Sequence, residues 1–286
     1  MRVPAVSGAF YPSDPVILKN QLRDCFINGP GEPGKASGKR SISAVVVPHA
    51  GYVYSGTCAA HSFKAIAEDG LPEAYIVIGP DHVGVPYDAV MSTEDYCTPL
   101  GPCPIHQSIA MRLREFIPDD SNAHRREHSI EVELPFIQTI DPNPHIIPII
   151  MGRQDMNTAQ RVADALKIAC AGHDVVIIAS SDLVHYVPKT FADTMDARFL
   201  HAVASGNVAA MYDLGTKGYH VGNIDATVCA ERPKLNPFIP NMQECLASVM
   251  GVDVDAVSIK ATTTERLVFT GREEGISAYA TVLIEK

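Results

Sequence analysis

The sequence lacks any apolar run long enough to cross a membrane. Within its 286 residues, no stretch approaches the ~20 consecutive apolar residues that a membrane helix needs. The N-terminal stretch MRVPAVSGAFYP also lacks the apolar centre of a secretory signal. The 46% hydrophobic and 20% charged residues are typical of a globular protein. We therefore expect a cytoplasmic protein with no membrane partner.

Positive charge and paired cysteines are also scarce. The formal net charge is −10, whereas a nucleic-acid surface needs clustered Lys and Arg to neutralise phosphates. The cysteines number seven and include no C-x-x-C pair, so neither a disulfide framework nor a zinc knuckle is indicated. We expect reduced thiols and no nucleic-acid partner.

Short β-branched runs alternate with helical patterns in the first three quarters of the chain, which is typical of βαβ units and a mainly parallel sheet. The expected strands are Ile42–Val47, Ala74–Ile78, His145–Ile150 and Asp174–Ala179. Apolar residues at helical spacing predict the helices Thr57–Glu68, Ile105–Phe116 and Thr158–Ala171. The prediction is an α/β fold with helices flanking the sheet.

The pattern changes beyond about Gly215. Strands are expected at Asn223–Cys229, Ala256–Ala261 and Ile276–Ile284, with a helix at Pro240–Met250. This α+β segment is either a second module or the edge of the first sheet, and periodicity does not decide between them. We divide the chain into residues 1–213 and residues 214–286.

Three histidines come just after three of the expected strands. His49, His82 and His185 follow the runs that end at Val47, Ile78 and Ala179. In open α/β sheets, ligands bind beyond the carboxyl ends of the strands, and neutral imidazole is the commonest metal ligand. A single loop histidine is more often a hydrogen-bonded structural residue. Three at equivalent positions favour one metal site.

Other polar residues near these histidines have two interpretations each. Asp81 and Asp182 either orient the imidazole rings or cap the helices that follow. His128 and Glu131 share one face of a helix. They are candidates for a proton shuttle or a carboxylate beside the metal, with a helix-surface carboxylate as the alternative for Glu131.

A set of motifs over roughly residues 1–210 resembles the Memo family. The motifs are Gly8-Ala-Phe-Tyr-Pro12, Pro48-His49-Ala-Gly-Tyr-Val-Tyr-Ser-Gly56, Ile78-Gly-Pro-Asp-His82, Glu127-His-Ser-Ile-Glu131 with Leu134-Pro-Phe136, and Ser180-Ser-Asp-Leu-Val-His185-Tyr. The resemblance implies a fold akin to class III extradiol dioxygenases, whose non-haem iron cleaves aromatic rings next to a catechol diol. It does not supply a substrate, so a small molecule or a peptide is expected.

The resemblance to the Memo family also implies roles for individual residues. His49, His82 and His185 are the implied metal ligands, with His128 and Asp182 as catalytic neighbours. The expected metal is iron, with copper or zinc as alternatives. The family places a cysteine near the metal in an Ile-Cys-Gly-x-x-Pro stretch. Its counterpart here is Val228-Cys229-Ala-Glu-Arg-Pro233, so Cys229 is either a fourth ligand or a core cysteine.

The last quarter of the chain, from Lys217, resembles the C-terminal part of 2-C-methyl-D-erythritol 2,4-cyclodiphosphate synthase, an enzyme of isoprenoid biosynthesis. The resemblance rests on KGYHVGNIDATVCAERPKLNPFIPNMQECL, Ser258-Ile-Lys-Ala-Thr-Thr-Thr-Glu265 and Phe269-Thr-Gly-Arg-Glu-Glu-Gly275. The nucleotide and phosphate contacts that it implies are Ala230, Pro233, Lys234, Ala261, Thr262, Thr263, Glu265 and Arg272. The synthase binds its metal through an Asp-x-His motif, which does not occur in this chain.

The two resemblances together describe a chimeric chain. Because the synthase family is trimeric, a homo-oligomer is also expected. The leading hypothesis is a metal-binding, dioxygenase-like oxidoreductase or metal-handling protein. The alternatives are a synthase-like lyase acting through the C-terminal segment, and a non-enzymatic protein whose pocket binds a peptide or another partner.

Overall fold

The β-branched runs of the first part of the chain form a five-stranded sheet. The strands of residues 1–185, in chain order, are β1 (Ala44–Val47), β2 (Ala74–Pro80), β3 (Ala89–Met91), β4 (Tyr96–Thr98), β5 (Gly101–Cys103), β6 (Ile146–Met151) and β7 (Val175–Ser180). The order across the sheet is β1-β7-β2-β6-β3, and only β3 is antiparallel. Strands β4 and β5 pair separately. The predicted mainly parallel α/β sheet is confirmed.

Helices of the same part of the chain connect and cover these strands. They are α1 (Pro15–Ile27), α2 (Tyr52–Asp69), α3 (Gln107–Leu113), α4 (Ser121–His124), α5 (Leu134–Ile140) and α6 (Met156–Ala169). Two further helices, α7 (Lys189–Ala204) and α8 (Ile239–Met250), follow later in the chain. Helix α2 packs against α1 and α5, and α3 packs against α6. Asp14 and Asp155 begin α1 and α6, because their carboxylates accept hydrogen bonds from first-turn amides.

The central strand β2 is buried on both faces, which explains its continuous apolar run. Ile76 and Ile78 line a groove beside α6. Successive side chains of a strand point to opposite faces, so Tyr75 and Val77 point away from α6, and both are fully buried. Helices therefore cover both faces and leave the ends of the strands open for a site.

The chain divides into two units, Met1–His185 and Tyr186–Lys286. The structure, a computed structural model, describes residues 1–38, 40–185, 188–211, 220–250, 252–263, 266, 272 and 276–285. The second unit contains β8 (His220–Cys229), β9 (Val257–Thr262) and β10 (Ser277–Glu285) in the order β10-β8-β9. Among its described residues, a buried apolar cluster consists of Ala247, Val257 and Ile259. The boundary at 213/214 stays a prediction.

Two further sequence expectations concern the whole chain. All seven cysteines are free thiols, as predicted. Among the described residues, no helix combines the length and the apolar character needed to span a bilayer. The cytoplasmic location stays a prediction.

Candidate metal centre

Two predicted ligands, His49 and His82, meet at the carboxyl edge of the sheet together with His128. One ring nitrogen from each lies within 4.8 Å of the others. The ring centroids are 5.2 Å apart for His49 and His82, 5.7 Å for His49 and His128, and 4.3 Å for His82 and His128. Imidazoles that share one ion place their centroids roughly 5 Å apart, because each nitrogen lies about 2 Å from the metal. The group fits one metal ion.

His49 is held in place by buried partners. Its backbone N–H donates to Asp182 Oδ1 at 2.8 Å, and its Nδ1 lies 2.7 Å from Ser180 Oγ. The side chain is only 3% exposed, and this burial lowers the pKa of His49 to about 4. The imidazole is therefore neutral at pH 7, as a metal ligand must be.

The hydroxyl of Ser180 determines which nitrogen of His49 carries the proton. Ser180 Oγ lies 2.7 Å from the carbonyl oxygen of Ser129 and 3.0 Å from Glu133 Oε1. Both oxygens accept from the Ser180 hydroxyl, so this hydroxyl has no proton left for His49. Ser180 Oγ therefore accepts from His49 Nδ1–H. This leaves the lone pair of His49 Nε2 free for a metal.

Glu133 is completely buried behind Ser180. This burial raises the pKa of Glu133 well above its ordinary value, which favours the neutral carboxyl group. Its second oxygen, Oε2, is buried without a hydrogen-bond partner among the described residues. An unpaired neutral oxygen is far less unfavourable in the interior than an unpaired charged one.

Glu127 performs the same function for His82. Its carboxylate accepts from the backbone N–H and Nδ1 of His82 at 2.6 and 2.9 Å, and from the backbone N–H groups of His128 and Ser129 at 2.8 Å. Burial opposes ionisation, but these donors outweigh it and lower the pKa of Glu127 to about 2. A carboxylate only accepts, so His82 carries its proton on Nδ1 and offers Nε2 to a metal.

The two aspartates that the sequence singled out have different contacts. Asp81 accepts from the backbone N–H groups of residues 83–85, so it stabilises a turn. Asp182 Oδ2 lies 3.7 Å from His49 Nε2 and 3.4 Å from His185 Nε2. Asp182 therefore lies between His185 and the group of three histidines. His185 is the more exposed, with 55% of its side chain accessible.

Glu131 anchors the N-terminal segment. Its fully buried carboxylate accepts from Arg2 Nη1 and the Tyr11 hydroxyl at 2.7 Å, and from the backbone N–H groups of Ala5 and Val6. Arg2 is also buried, so the two form an internal ion pair. These contacts favour a structural role, and the catalytic role predicted for Glu131 stays a prediction.

The remaining predicted residues belong to the second unit. Cys229 ends β8 and is half-buried, and its role as a fourth ligand stays a prediction. The backbone N–H of Ala230 donates to Thr262 O at 3.0 Å, which joins the two predicted nucleotide stretches. Exposed residues among this set are Pro233, Lys234, Thr262 and Arg272, whereas Ala261 and Thr263 are half-buried. Glu265 lies outside the described residues.

Sequence reasoning missed the residues that orient the imidazoles, namely Glu127, Ser129, Glu133 and Ser180. Each lies inside or beside a motif that had been identified. The available signal was chemical, since a ligating histidine usually donates its other N–H to a buried acceptor. Gly79 also contributes, because a Cβ there would overlap the side chain of Ser129.

Sequence comparisons relate this chain to known proteins. A family model described as Memo-like protein matches residues 2–244. A MEMO1 family protein of Methanothermobacter thermautotrophicus is 37% identical over 241 residues, covering 82% of this chain and 85% of the relative. A MEMO1 family protein of Methanobrevibacter smithii is 39% identical over 215 residues, covering 71% and 76%.

Similarity to solved structures is of a different kind. The bifunctional IspDF from Campylobacter jejuni is 36% identical over 27% of this chain and 21% of that chain, with a TM-score of 0.25. The 2C-methyl-D-erythritol 2,4-cyclodiphosphate synthase from Plasmodium vivax is 28% identical over 34% and 69%, also with a TM-score of 0.25. Scores this low do not establish a common fold.

Proposed function

Because the chain belongs to the Memo-like protein family, we propose that it binds one transition-metal ion through His49, His82 and His128. The observation that carries the proposal is the convergence of three ring nitrogens within 4.8 Å. For His49 and His82, the other ring nitrogen is already engaged by Ser180 and Glu127. The lone pairs that face the site are therefore available to an ion.

The donor set suits iron, copper or zinc. Imidazole nitrogen binds all three metals, and final selectivity depends on geometry and availability. Three protein ligands leave coordination positions open for water or substrate. When bound, iron or copper would supply Lewis-acid and redox chemistry. Iron is the first metal to test.

The finer part of the proposal is a dioxygenase-like oxidoreductase, which rests on the resemblance to class III extradiol enzymes. Asp182 supports it, because its Oδ2 lies 3.7 Å from His49 Nε2 and 3.4 Å from His185 Nε2. In this proposal the Asp182–His185 pair takes a proton from a bound hydroxyl. The proposal makes His128 a ligand and gives His185 the proton-handling role, whereas the sequence predicted His185 as a ligand and His128 as a catalytic neighbour.

Metal analysis of single variants tests the binding proposal. The protein is stripped with chelator, reloaded with Fe²⁺ or Cu²⁺ and analysed by mass spectrometry. We expect His49→Ala, His82→Ala and His128→Ala to lose the metal, and His185→Gln to retain it. His61→Ala, at an exposed histidine of α2, is the matched control. Full metal content in all three ligand variants would reject the site.

Oxygen uptake tests the finer part. The Fe²⁺-loaded protein is mixed with simple catechols in an oxygen electrode. We expect uptake that His49→Ala abolishes and that His185→Gln slows without reducing metal content. Absence of uptake from fully loaded protein across the catechol series would reject the dioxygenase-like activity and leave metal binding standing.

Each of the two alternatives has one supporting observation. The contact between Ala230 and Thr262 supports a phosphate-binding C-terminal segment, although the synthase metal motif is missing from the sequence. Val53 and Tyr54, shortly after His49, are 76% and 86% exposed, which supports a partner-binding surface. A protein that holds no metal but binds a peptide at Tyr54 would favour the second alternative.

A further inference from the structure

A second group of metal-ligating side chains lies at the opposite, amino edge of the same sheet. Glu73 immediately precedes β2, and His173 lies two residues before β7. Because these strands are parallel neighbours, both residues lie at one edge. His106 joins them, since its backbone N–H donates to Ile146 O at the start of β6 at 3.0 Å. Three separate elements thus deliver two imidazoles and one carboxylate to one place.

The donor atoms already have nearly the spacing of a coordination shell. Glu73 Oε1 lies 3.0 Å from His106 Nε2 and 2.9 Å from His173 Nδ1. The two imidazole centroids are 5.0 Å apart. In a tetrahedral zinc site, ligand atoms about 2.1 Å from the ion lie roughly 3.4 Å from one another. We propose that Glu73, His106 and His173 form a second, independent site for a divalent metal of the zinc class.

The surroundings leave one side of this site open. The imidazoles of His106 and His173 are 13% and 15% exposed, whereas the Glu73 side chain is 45% exposed. Water can complete the shell from solvent, and the His145 ring, 6.0 Å from the His106 ring, is a second source of a ligand. Two nitrogens and one oxygen suit zinc, copper or nickel better than magnesium or calcium.

Metal binding at this site has a local consequence that can be measured. His106 caps the N-terminus of α3: its Nδ1 accepts a hydrogen bond of 3.3 Å from the backbone N–H of Ile109. A neutral imidazole that binds metal through Nε2 carries its proton on Nδ1. The bond to Ile109 must therefore break when the ion binds. The Ile109 amide becomes a reporter that adventitious surface binding does not affect.

Zinc titration of the full-length, tag-free protein tests the proposal. Calorimetry should give two Zn²⁺ equivalents for the parent protein and one for His49→Ala/His82→Ala. Adding His173→Ala to that double variant should weaken the remaining site at least about 100-fold, since a ligand matters at least as much as its hydrogen-bonded supports. Adding His61→Ala instead should leave it unchanged. Glu73→Gln in the parent protein should reduce two equivalents to one.

The outcomes separate the two sites. Loss of one equivalent with His173→Ala alone supports the amino-edge site, whatever happens at the carboxyl edge. If the parent protein binds only one Zn²⁺ equivalent, and this binding is lost in His49→Ala but unchanged in His173→Ala, the amino-edge site is overturned. The proposed function would remain intact. In ¹⁵N spectra, the Ile109 amide should shift with Zn²⁺ in the parent and not in His173→Ala. An unshifted Ile109 amide in the zinc-saturated parent overturns the proposal.

Discussion

The two edges of the central sheet carry histidine groups of opposite character. At the carboxyl edge, His49 is buried, and hydrogen bonds to Ser180 fix its ring. At the amino edge, His106 and His173 bond directly to one half-exposed carboxylate, that of Glu73. Both groups arise because parallel strands bring their ends together.

The difference lies in what surrounds the ligands. Glu127 and Glu133 form a buried layer behind the carboxyl-edge imidazoles and fix their protons before any metal arrives. The other ring nitrogens of the amino-edge imidazoles contact the exposed Ser108 hydroxyl and the Ile109 amide instead, and both imidazoles must give up their bonds to Glu73 when an ion binds. We therefore expect the carboxyl-edge site to bind its metal more tightly, and to release it more slowly, than the amino-edge site does.

The largest expected effect comes from the buried ion pair beside the carboxyl edge. Arg2→Ala removes the cation that faces Glu131 in the interior, leaving an unpaired buried charge. We expect the free energy of unfolding to fall by about 3–5 kcal/mol, measured by urea denaturation. The control is Arg23→Ala, which removes one partner of an exposed pair. Equal, small effects from both variants would show that burial does not distinguish these charges.

Lowering the pH should reduce the free energy of unfolding through a buried histidine but not through an exposed one. His124 is fully buried outside both groups, and burial lowers its pKa to about 4. As pH falls from about 6.5 to 4, the unfolded chain takes up a proton that the folded chain refuses. The free energy of unfolding should therefore decrease by roughly 3 kcal/mol from this residue. Urea titrations at several pH values should show a shallower decrease in His124→Gln, but not in His61→Gln.

The third prediction concerns the hydroxyl of Ser180, which supports the His49 ring at the carboxyl edge. Ser180→Ala removes the acceptor of His49 Nδ1–H and leaves all three ligand residues unchanged. We expect metal affinity to fall about 10- to 100-fold with the fold retained, measured by competition with a chromophoric chelator. Ser181→Ala is the adjacent control, because its hydroxyl donates to the Asp182 carbonyl and, within the described part of the chain, to no ligand of the site. Unchanged affinity in Ser180→Ala would remove Ser180 from the site.

The smallest expected effect is at the amino edge. Glu73→Gln breaks hydrogen bonds that are open to solvent, so the free energy of unfolding should change little. Urea denaturation of the metal-free protein measures this. A loss comparable to that of Arg2→Ala would show that the amino edge also depends on buried charge, and the contrast between the edges would fail.

Part of this organisation was predictable from sequence, and part was not. The positions of His49 and His82 follow from strand ends and one topological rule. The His128 ring lies against His49 and His82 because residues 127–129 pack over Gly79. Hydrophobic periodicity does not encode this path of the chain. Glu73 and His173 escaped notice because residues that precede strands form no local pattern. His106 escaped notice because it precedes a helix, α3, and not a strand.

The central claim is that three imidazoles at the carboxyl edge bind one ion. It is tested most directly by anomalous diffraction from crystals of the protein grown with Co²⁺ or Zn²⁺. We predict a peak about 2.0–2.1 Å from one ring nitrogen each of His49, His82 and His128. A peak bound by His185 in place of His128, or density confined to other sites, would contradict the account.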